Sequence, residues 1–137
     1  MPEIQWTEDH SVGVAEIDAQ HKELVKITNR LFLGIMNDSA FQVLLDILYE
    51  LERYVEYHFS YEEELLKTYG YSHQALVEHI EEHHRIKNQV SIFIKEYSSN
   101  WETMDIEVFD FLRDWTTDHL CTTDAMYKDF FKRNKVF

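Results

Sequence analysis

Beyond Gly13 the chain carries only two glycines, Gly34 and Gly70, and its one proline stands at position 2. These two residue types most readily interrupt regular backbone, so their scarcity makes long helices the default for everything after about residue 14. The apolar residues agree. Ile17, His21, Leu24, Thr28, Leu31 and Ile35 recur at alternating steps of four and three, the period of one inward helical face. Asn37, Asp38 and Ser39 then supply turn and N-cap chemistry. A longer stripe runs through Phe41, Leu44, Leu48, Leu51, Val55, His58, Glu62, Leu65 and Tyr69, with Gly70 placed to end the helix. The third stripe starts near Ser72 or His73 and takes Leu76, His79, His83, Ile86, Val90, Phe93 and Tyr97. Ser98, Ser99 and Asn100 form a short polar connection to the fourth, which takes Val108, Leu112, Trp115 and His119 and runs on to the aromatic end YKDFF.

Four amphipathic helices joined by short loops pack best as an all-α, up-down-up-down antiparallel four-helix bundle. Residues up to about Val14 form an N-terminal arm, with Ile4, Trp6, Val12 and Val14 available to lie against the body. With 137 residues and no long linker, one domain spanning 1–137 is expected. The net charge of −13 argues against nucleic acid as a partner, and no basic face suggests an anionic membrane. No apolar run approaches membrane-spanning length, and the start MPEIQWTEDH lacks the basic and apolar regions of a secretory signal, so the cytoplasm is the simplest location. A single cysteine, Cys121, rules out an internal disulfide and a cysteine-built zinc cage. The oligomeric state is left open, a monomer included.

Each inward stripe contains residues that do not belong in an apolar core: His21; His58 with Glu62; His79 with His83; and His119, with Asp124 close behind. One buried histidine is ordinarily a hydrogen-bonded core residue. Seven such groups spread over four stripes are another matter. In an antiparallel bundle the first two helices carry theirs at similar distances from the turn at residues 37–39, and the last two flank their own connection likewise, so all seven can meet in one slab. His58/Glu62 and His79/His83 are four apart and share a helix face. His119 and Asp124 are five apart and would diverge by about 140° on a regular helix. Either the ligated atoms lie between those directions or the fourth helix contains a π-bulge, after which the stripe resumes at Tyr127 and Phe131 rather than Met126 and Phe130.

Five imidazoles and two carboxylates without a thiolate suit iron, copper, nickel or zinc rather than calcium or magnesium. Seven ligands exceed one ion and fit two. If both carboxylates bridge, the protein fills about nine of the roughly twelve positions on two octahedral ions, and an oxo or hydroxo bridge fills two more, leaving one vacancy. A single vacancy inside an apolar wall favours reversible binding of a small neutral gas over catalysis on a bulky substrate. Two adjacent irons could lend dioxygen two electrons and recover them on release, while the apolar wall keeps out water.

The segments around these groups resemble the hemerythrin family, specifically the single-domain bacterial members: WTEDHSVGVAEIDAQHKEL around His21, YVEYHFSYEEELL with His58 and Glu62, HIEEH with His79 and His83, and WTTDHLCTTDAMY with His119 and Asp124. The similarity runs over nearly the whole chain, and four ordered motifs that supply all seven candidate ligands make it specific, whereas any HxxxH alone would be weak. It implies a non-haem di-iron centre that binds O2 reversibly, without enzymatic turnover. His79, His83 and His119 would ligate one iron, His21 and His58 the other, which keeps the vacancy, and Glu62 and Asp124 would bridge. The chain departs from the family pattern at Ser72, where proline is common, in a slightly longer loop before His79, and at Thr116 and Leu120 beside the site.

Other residues take ordinary readings. His10, His73 and His84 are expected as surface or cap histidines, Glu63 and Glu64 as a solvated face, and Cys121 as a packing residue. Tyr54, Phe59, Trp115 and Tyr127 are core first and pocket lining second. Rival functions are a di-iron oxidase, a gas or redox sensor acting through a separate partner, and a zinc-bound structural bundle. A ferritin-like oxidase wants two inward Glu-x-x-His motifs, and this chain offers only Glu81 to His84.

Overall fold

The computed structural model describes residues 3–137; Met1 and Pro2, the start of the expected domain, lie outside the described residues. The described chain is all-helical. A short 3-10 turn, Glu8–His10, precedes α1 (Ala15–Met36), α2 (Ala40–Thr68) and α3 (His73–Asp114); a π-helical segment Trp115–Thr123 and a 3-10 turn Asp124–Tyr127 then lead to α4 (Lys128–Arg133). No described helix is long and apolar enough to cross a membrane.

Turn chemistry sets the boundaries. Gly70 ends α2 at φ +77°, a left-handed conformation that costs glycine nothing, and Tyr71 N–H closes the cap on Leu66 O at 2.9 Å. Between α1 and α2, Ser39 N–H donates to Gly34 O at 2.7 Å. Ser39 occupies the N-cap position of α2, but its side chain makes no capping bond to that helix. A Cβ on Gly34 would stand 3.2 Å from Ala40 Cα, so glycine allows the two helices to approach this closely.

The expected loop at Ser98, Ser99 and Asn100 is narrower than its composition suggests. Only Asn100 leaves helical geometry, at φ −131° and ψ 15°. That one residue reverses the chain. Phe93 and Phe111 are eighteen positions apart, about 27 Å along a straight helix, yet their ring centroids lie 5.6 Å apart.

Two apolar clusters result. The larger includes Leu24, Leu31, Leu44, Leu48, Leu51, Val55, Val90, Val108, Leu112 and Trp115; the smaller gathers Val12, Val14 and Ile17 with Leu66, Tyr127 and Phe131. The polar inward residues fall between them in sequence: His21 separates Ile17 from Leu24, and Asp124 separates Leu120 from Tyr127. The apolar stripe of α2 is shorter than its periodicity implies, since Phe41 and Tyr69 at its ends are exposed. The arm packs as expected: Val12 and Val14 are buried, Asp18 accepts from Val12 N–H at 2.8 Å, and Asn29 pairs with both backbone groups of Ile4.

Candidate metal centre

The seven candidate residues meet in one buried slab. His21, His58, Glu62 and Asp124 are 0% exposed, and His79, His83 and His119 at most 3%. Their donor atoms form two groups, His79, His83, His119 and Asp124 in one and His21, His58, Glu62 and Asp124 in the other, each lying within 4.8 Å.

The π-helical segment explains how His119 and Asp124 come together. From Trp115 to Thr123 the backbone is π-helical, and Asp124 N–H donates to His119 O, an i to i+5 bond that stacks residues five apart. The inserted residue also rotates the remainder of the helix. Tyr127 and Phe131 are 0% exposed, whereas Met126 is 64% exposed, as the π alternative requires and an unbroken helix does not.

Each carboxylate divides its oxygens between the two histidine sets. Glu62 Oε1 lies 3.3 Å from His58 Nε2 and 3.7 Å from His21 Nε2, while Oε2 lies 3.8 Å from His79 Nε2 and 4.0 Å from His83 Nε2. Asp124 Oδ2 faces His21 Nε2 at 3.1 Å, and Oδ1 faces His79 and His119 Nε2 at 3.1 and 3.0 Å. Many of these atoms are close without being hydrogen-bonded. Nε2 of His79, His83 and His119, Glu62 Oε2 and both Asp124 oxygens are buried with no hydrogen-bond partner. Buried polar atoms rarely go unpaired, and lone pairs aimed at shared points at these separations are what metal ions require. The donor set therefore fits a pair of transition-metal ions.

In the metal-free chain the electrostatics are strained towards charge. Burial opposes ionisation of Glu62, but His58 and the other neighbouring histidines outweigh it and hold its carboxyl well below the usual range. Asp124 is likewise pulled down despite burial and the nearby Glu62, mainly through His119 and His21. Burial disfavours imidazolium at His21 and His79, yet the adjacent Asp124 and Glu62 carboxylates push them up to about 9 and about 10. His83 moves the other way because burial dominates, even though Glu63 accepts from its Nδ1 at 2.7 Å.

Aromatic rings wall the site. Phe59 stacks on His83 with centroids 3.7 Å apart, Tyr54 stacks on His58 at 5.1 Å, and Trp115 stands 5.7 Å from Phe59. Tyr127 hydroxyl donates to Glu62 Oε1 at 3.1 Å, and burial first, with Asp124 and Glu62 adding to it, keeps the phenol protonated. A cleft of about 310 Å³ reaches His79 from the surface beside Tyr71, Glu78 and Met126.

One residue departs from its sequence reading, a second had none, and a third takes one of its two readings. Glu63 is no mere solvated face, since it is half-buried and binds His83. Gln20, absent from the candidate ligands, is buried and accepts from His58 Nδ1 at 2.6 Å. His10 is a cap histidine as expected, accepting from Thr7 N–H, but it is buried beneath Trp6 rather than exposed. Glu81 and His84, the one ferritin-like motif, both face solvent, as does His73.

Comparison with known proteins agrees with the geometry. Residues 12–131 match the model of the Hemerythrin HHE cation binding domain. A bacteriohemerythrin of Clostridium acetobutylicum is 31% identical over 128 residues, covering 90% of this chain and 98% of the relative. A bacteriohemerythrin of Pseudomonas aeruginosa is 27% identical, covering 94% and 82%. The myohemerythrin of Theromyzon tessulatum is 27% identical, covering 90% of this chain and 90% of its own. With the seven buried donors and a family match over most of its length, the chain belongs to the hemerythrin family.

Proposed function

We propose that this protein binds dioxygen reversibly at two iron ions held in the slab between its two apolar clusters. The observation that carries the reading is the gathering of seven buried ligand-type side chains into two groups of donor atoms, each within 4.8 Å, with Nε2 of His79, His83 and His119, Glu62 Oε2 and both Asp124 oxygens left without a hydrogen-bond partner. His79, His83 and His119 would hold one iron, and His21 and His58 the other, with fewer protein ligands. Glu62 and Asp124 would be shared by the two, a role supported by each carboxylate turning one oxygen to each histidine set. The finer architecture belongs to the same proposal: one domain over 1–137, folded as an up-down-up-down four-helix bundle. The reversal at Asn100 and the Phe93–Phe111 contact support it.

The iron pair, when bound, supplies two electrons to dioxygen and recovers them on release. The residues do the rest. Five imidazoles add no net charge in their neutral form, so the two carboxylates offset part of the metals' charge. Phe59, Tyr54 and Trp115 form an apolar wall that keeps water from the centre. Tyr127 holds its proton on the hydroxyl against Glu62 and fixes that carboxylate's orientation.

The test is visible absorption of an anaerobic ferrous sample exposed to air and then purged. Colour that appears with O2 and fades on purging supports binding; an irreversible ferric product, or steady turnover with a reductant, would assign an oxidase instead. His58→Ala should lower bound iron to about half or less, because a terminal donor of one ion is gone.

A further inference from the structure

Glu16 dictates, through one amide, which nitrogen of His58 faces the centre. A carboxylate only accepts, so Gln20 must turn its amide Nε2 towards Glu16 Oε1, 3.1 Å away. Gln20 Oε1 is then left against His58 Nδ1 at 2.6 Å. It is also an acceptor, so His58 Nδ1 carries the proton and Nε2 turns its lone pair inward, 3.1 Å from His21 Nε2. The amide has little freedom to turn: Gln20 is 6% exposed, and its backbone carbonyl accepts from Tyr54 hydroxyl at 2.7 Å. On the other side of the slab, Glu63 Oε2 imposes the same tautomer on His83 through Nδ1 at 2.7 Å.

The other imidazoles contrast with these two. His21 Nδ1 and His119 Nδ1 are buried without a hydrogen-bond partner, and Glu82 Oε1 stands 3.8 Å from the latter. Among the described bonds, each donor group thus has one imidazole braced through its outer nitrogen, His58 by a neutral amide and His83 by a charged carboxylate. A carboxylate behind an imidazole draws the N–H proton outward and makes the inner nitrogen a stronger donor, and an amide does so less.

We propose that Gln20 and Glu63 are positioning residues that make the halves of the centre unequal, the carboxylate-backed His79/His83/His119 half binding a divalent metal more tightly than the amide-backed His21/His58 half. The inference rests on the ligand set proposed above. It places the amide-backed histidine on the half with the open position, which would leave that ion the stronger Lewis acid towards an incoming ligand.

The test is chelator-competed titration of the full-length metal-free protein with cobalt(II), whose visible spectrum reports each site. Wild type takes up two ions with distinct affinities. Glu63→Gln keeps an acceptor and removes the charge; it lowers the tighter affinity about 10-fold and leaves the weaker within about threefold. Gln20→Leu removes the acceptor and lowers the weaker affinity about 10-fold, and Gln20→Glu restores or raises it. In the zinc-loaded protein, a slowly exchanging His58 Nδ1–H proton resonance disappears in Gln20→Leu and returns in Gln20→Glu. Should Gln20→Leu fail to fold by circular dichroism, Glu63→Gln and Gln20→Glu decide, since both retain an acceptor. Both affinities unchanged in the folded variants, or both falling together, would overturn the inference while leaving the ligand set intact. A wild type that binds fewer than two cobalt ions, or that is indifferent to His58→Ala and His83→Ala, would overturn the ligand set itself.

Discussion

Replacing Tyr127 with phenylalanine isolates one bond inside the slab. The hydroxyl donates to Glu62 Oε1 at 3.1 Å, and both residues are 0% exposed, so no water can replace it cheaply. Phenylalanine retains the ring, and with it the stacking on His79 at 5.4 Å and the contact with Phe131 at 4.9 Å. The substitution removes a hydrogen bond to an ionised carboxylate, worth about 1.5–3 kcal/mol net. For a chain of this size that is roughly 5–15 °C in melting temperature. The loss should be larger in the metal-free protein, where Glu62 keeps its full charge and Oε2 already lacks a partner, than in the metal-loaded protein, where an ion shares the carboxylate. Thermal melts of both forms followed by circular dichroism measure it. A metal-free Tyr127→Phe that melts within about 2 °C of wild type would show that the carboxylate does not depend on this donor.

Three more outcomes rest on the same geometry. His21 and His79 sit above the ordinary 6.5, at about 9 and about 10, so in the metal-free protein their stabilisation is complete below about pH 6.5 and fades as pH rises through those values. Glu62 and Asp124, held below the usual carboxylate range, contribute above it and lose that contribution as pH falls, so metal-free melting should decline on both sides while the loaded protein, its imidazoles already neutral, shows no alkaline decline; identical profiles would contradict the assignment. Deleting Cys121 would shorten the step from His119 to Asp124 to four residues, allowing a regular helix to keep both inward at about 40° apart, so two-metal binding should survive while a further deletion of Asp118 abolishes it, as metal analysis would reveal. Gly70→Ala should cost about 1–2 kcal/mol in urea unfolding from the left-handed backbone at φ +77°, since no neighbouring atom obstructs the added carbon.

How far the sequence can be read depends on whether a feature is confined to one helix. The stripe through Leu44, Leu48, Leu51, Val55, His58 and Glu62 is a property of α2 alone, and all six residues are buried. The same holds for His79 and His83 on α3. His119 and Asp124 are ambiguous in the sequence because a five-residue step is compatible with two backbones, and only the burial of Tyr127 and Phe131 beyond it decides between them. The loop at Ser98 to Asn100 is overestimated for a related reason: polar composition marks where a helix can break, but not how few residues the break needs, and here Asn100 suffices.

Gln20 and Glu63 lie beyond the reach of single-helix periodicity, and their positions say why. Each adjoins a candidate ligand in sequence, Gln20 before His21 and Glu63 after Glu62, and so points about 100° away from its own helix's inward stripe. A single-helix reading assigns such residues to the solvated flank. Yet each touches a histidine from a different helix, Gln20 on α1 reaching His58 on α2 and Glu63 on α2 reaching His83 on α3. Flank residues become hydrogen-bond partners of the next helix's inward histidines because neighbouring helices in a bundle meet edge to edge, where the flank of one faces the stripe of the other. The candidate ligands are therefore legible from periodicity, while the groups that would orient them emerge only when two helices are placed side by side. A search for such supports should look one position before or after each ligand, for an acceptor-bearing side chain long enough to cross to the neighbouring helix.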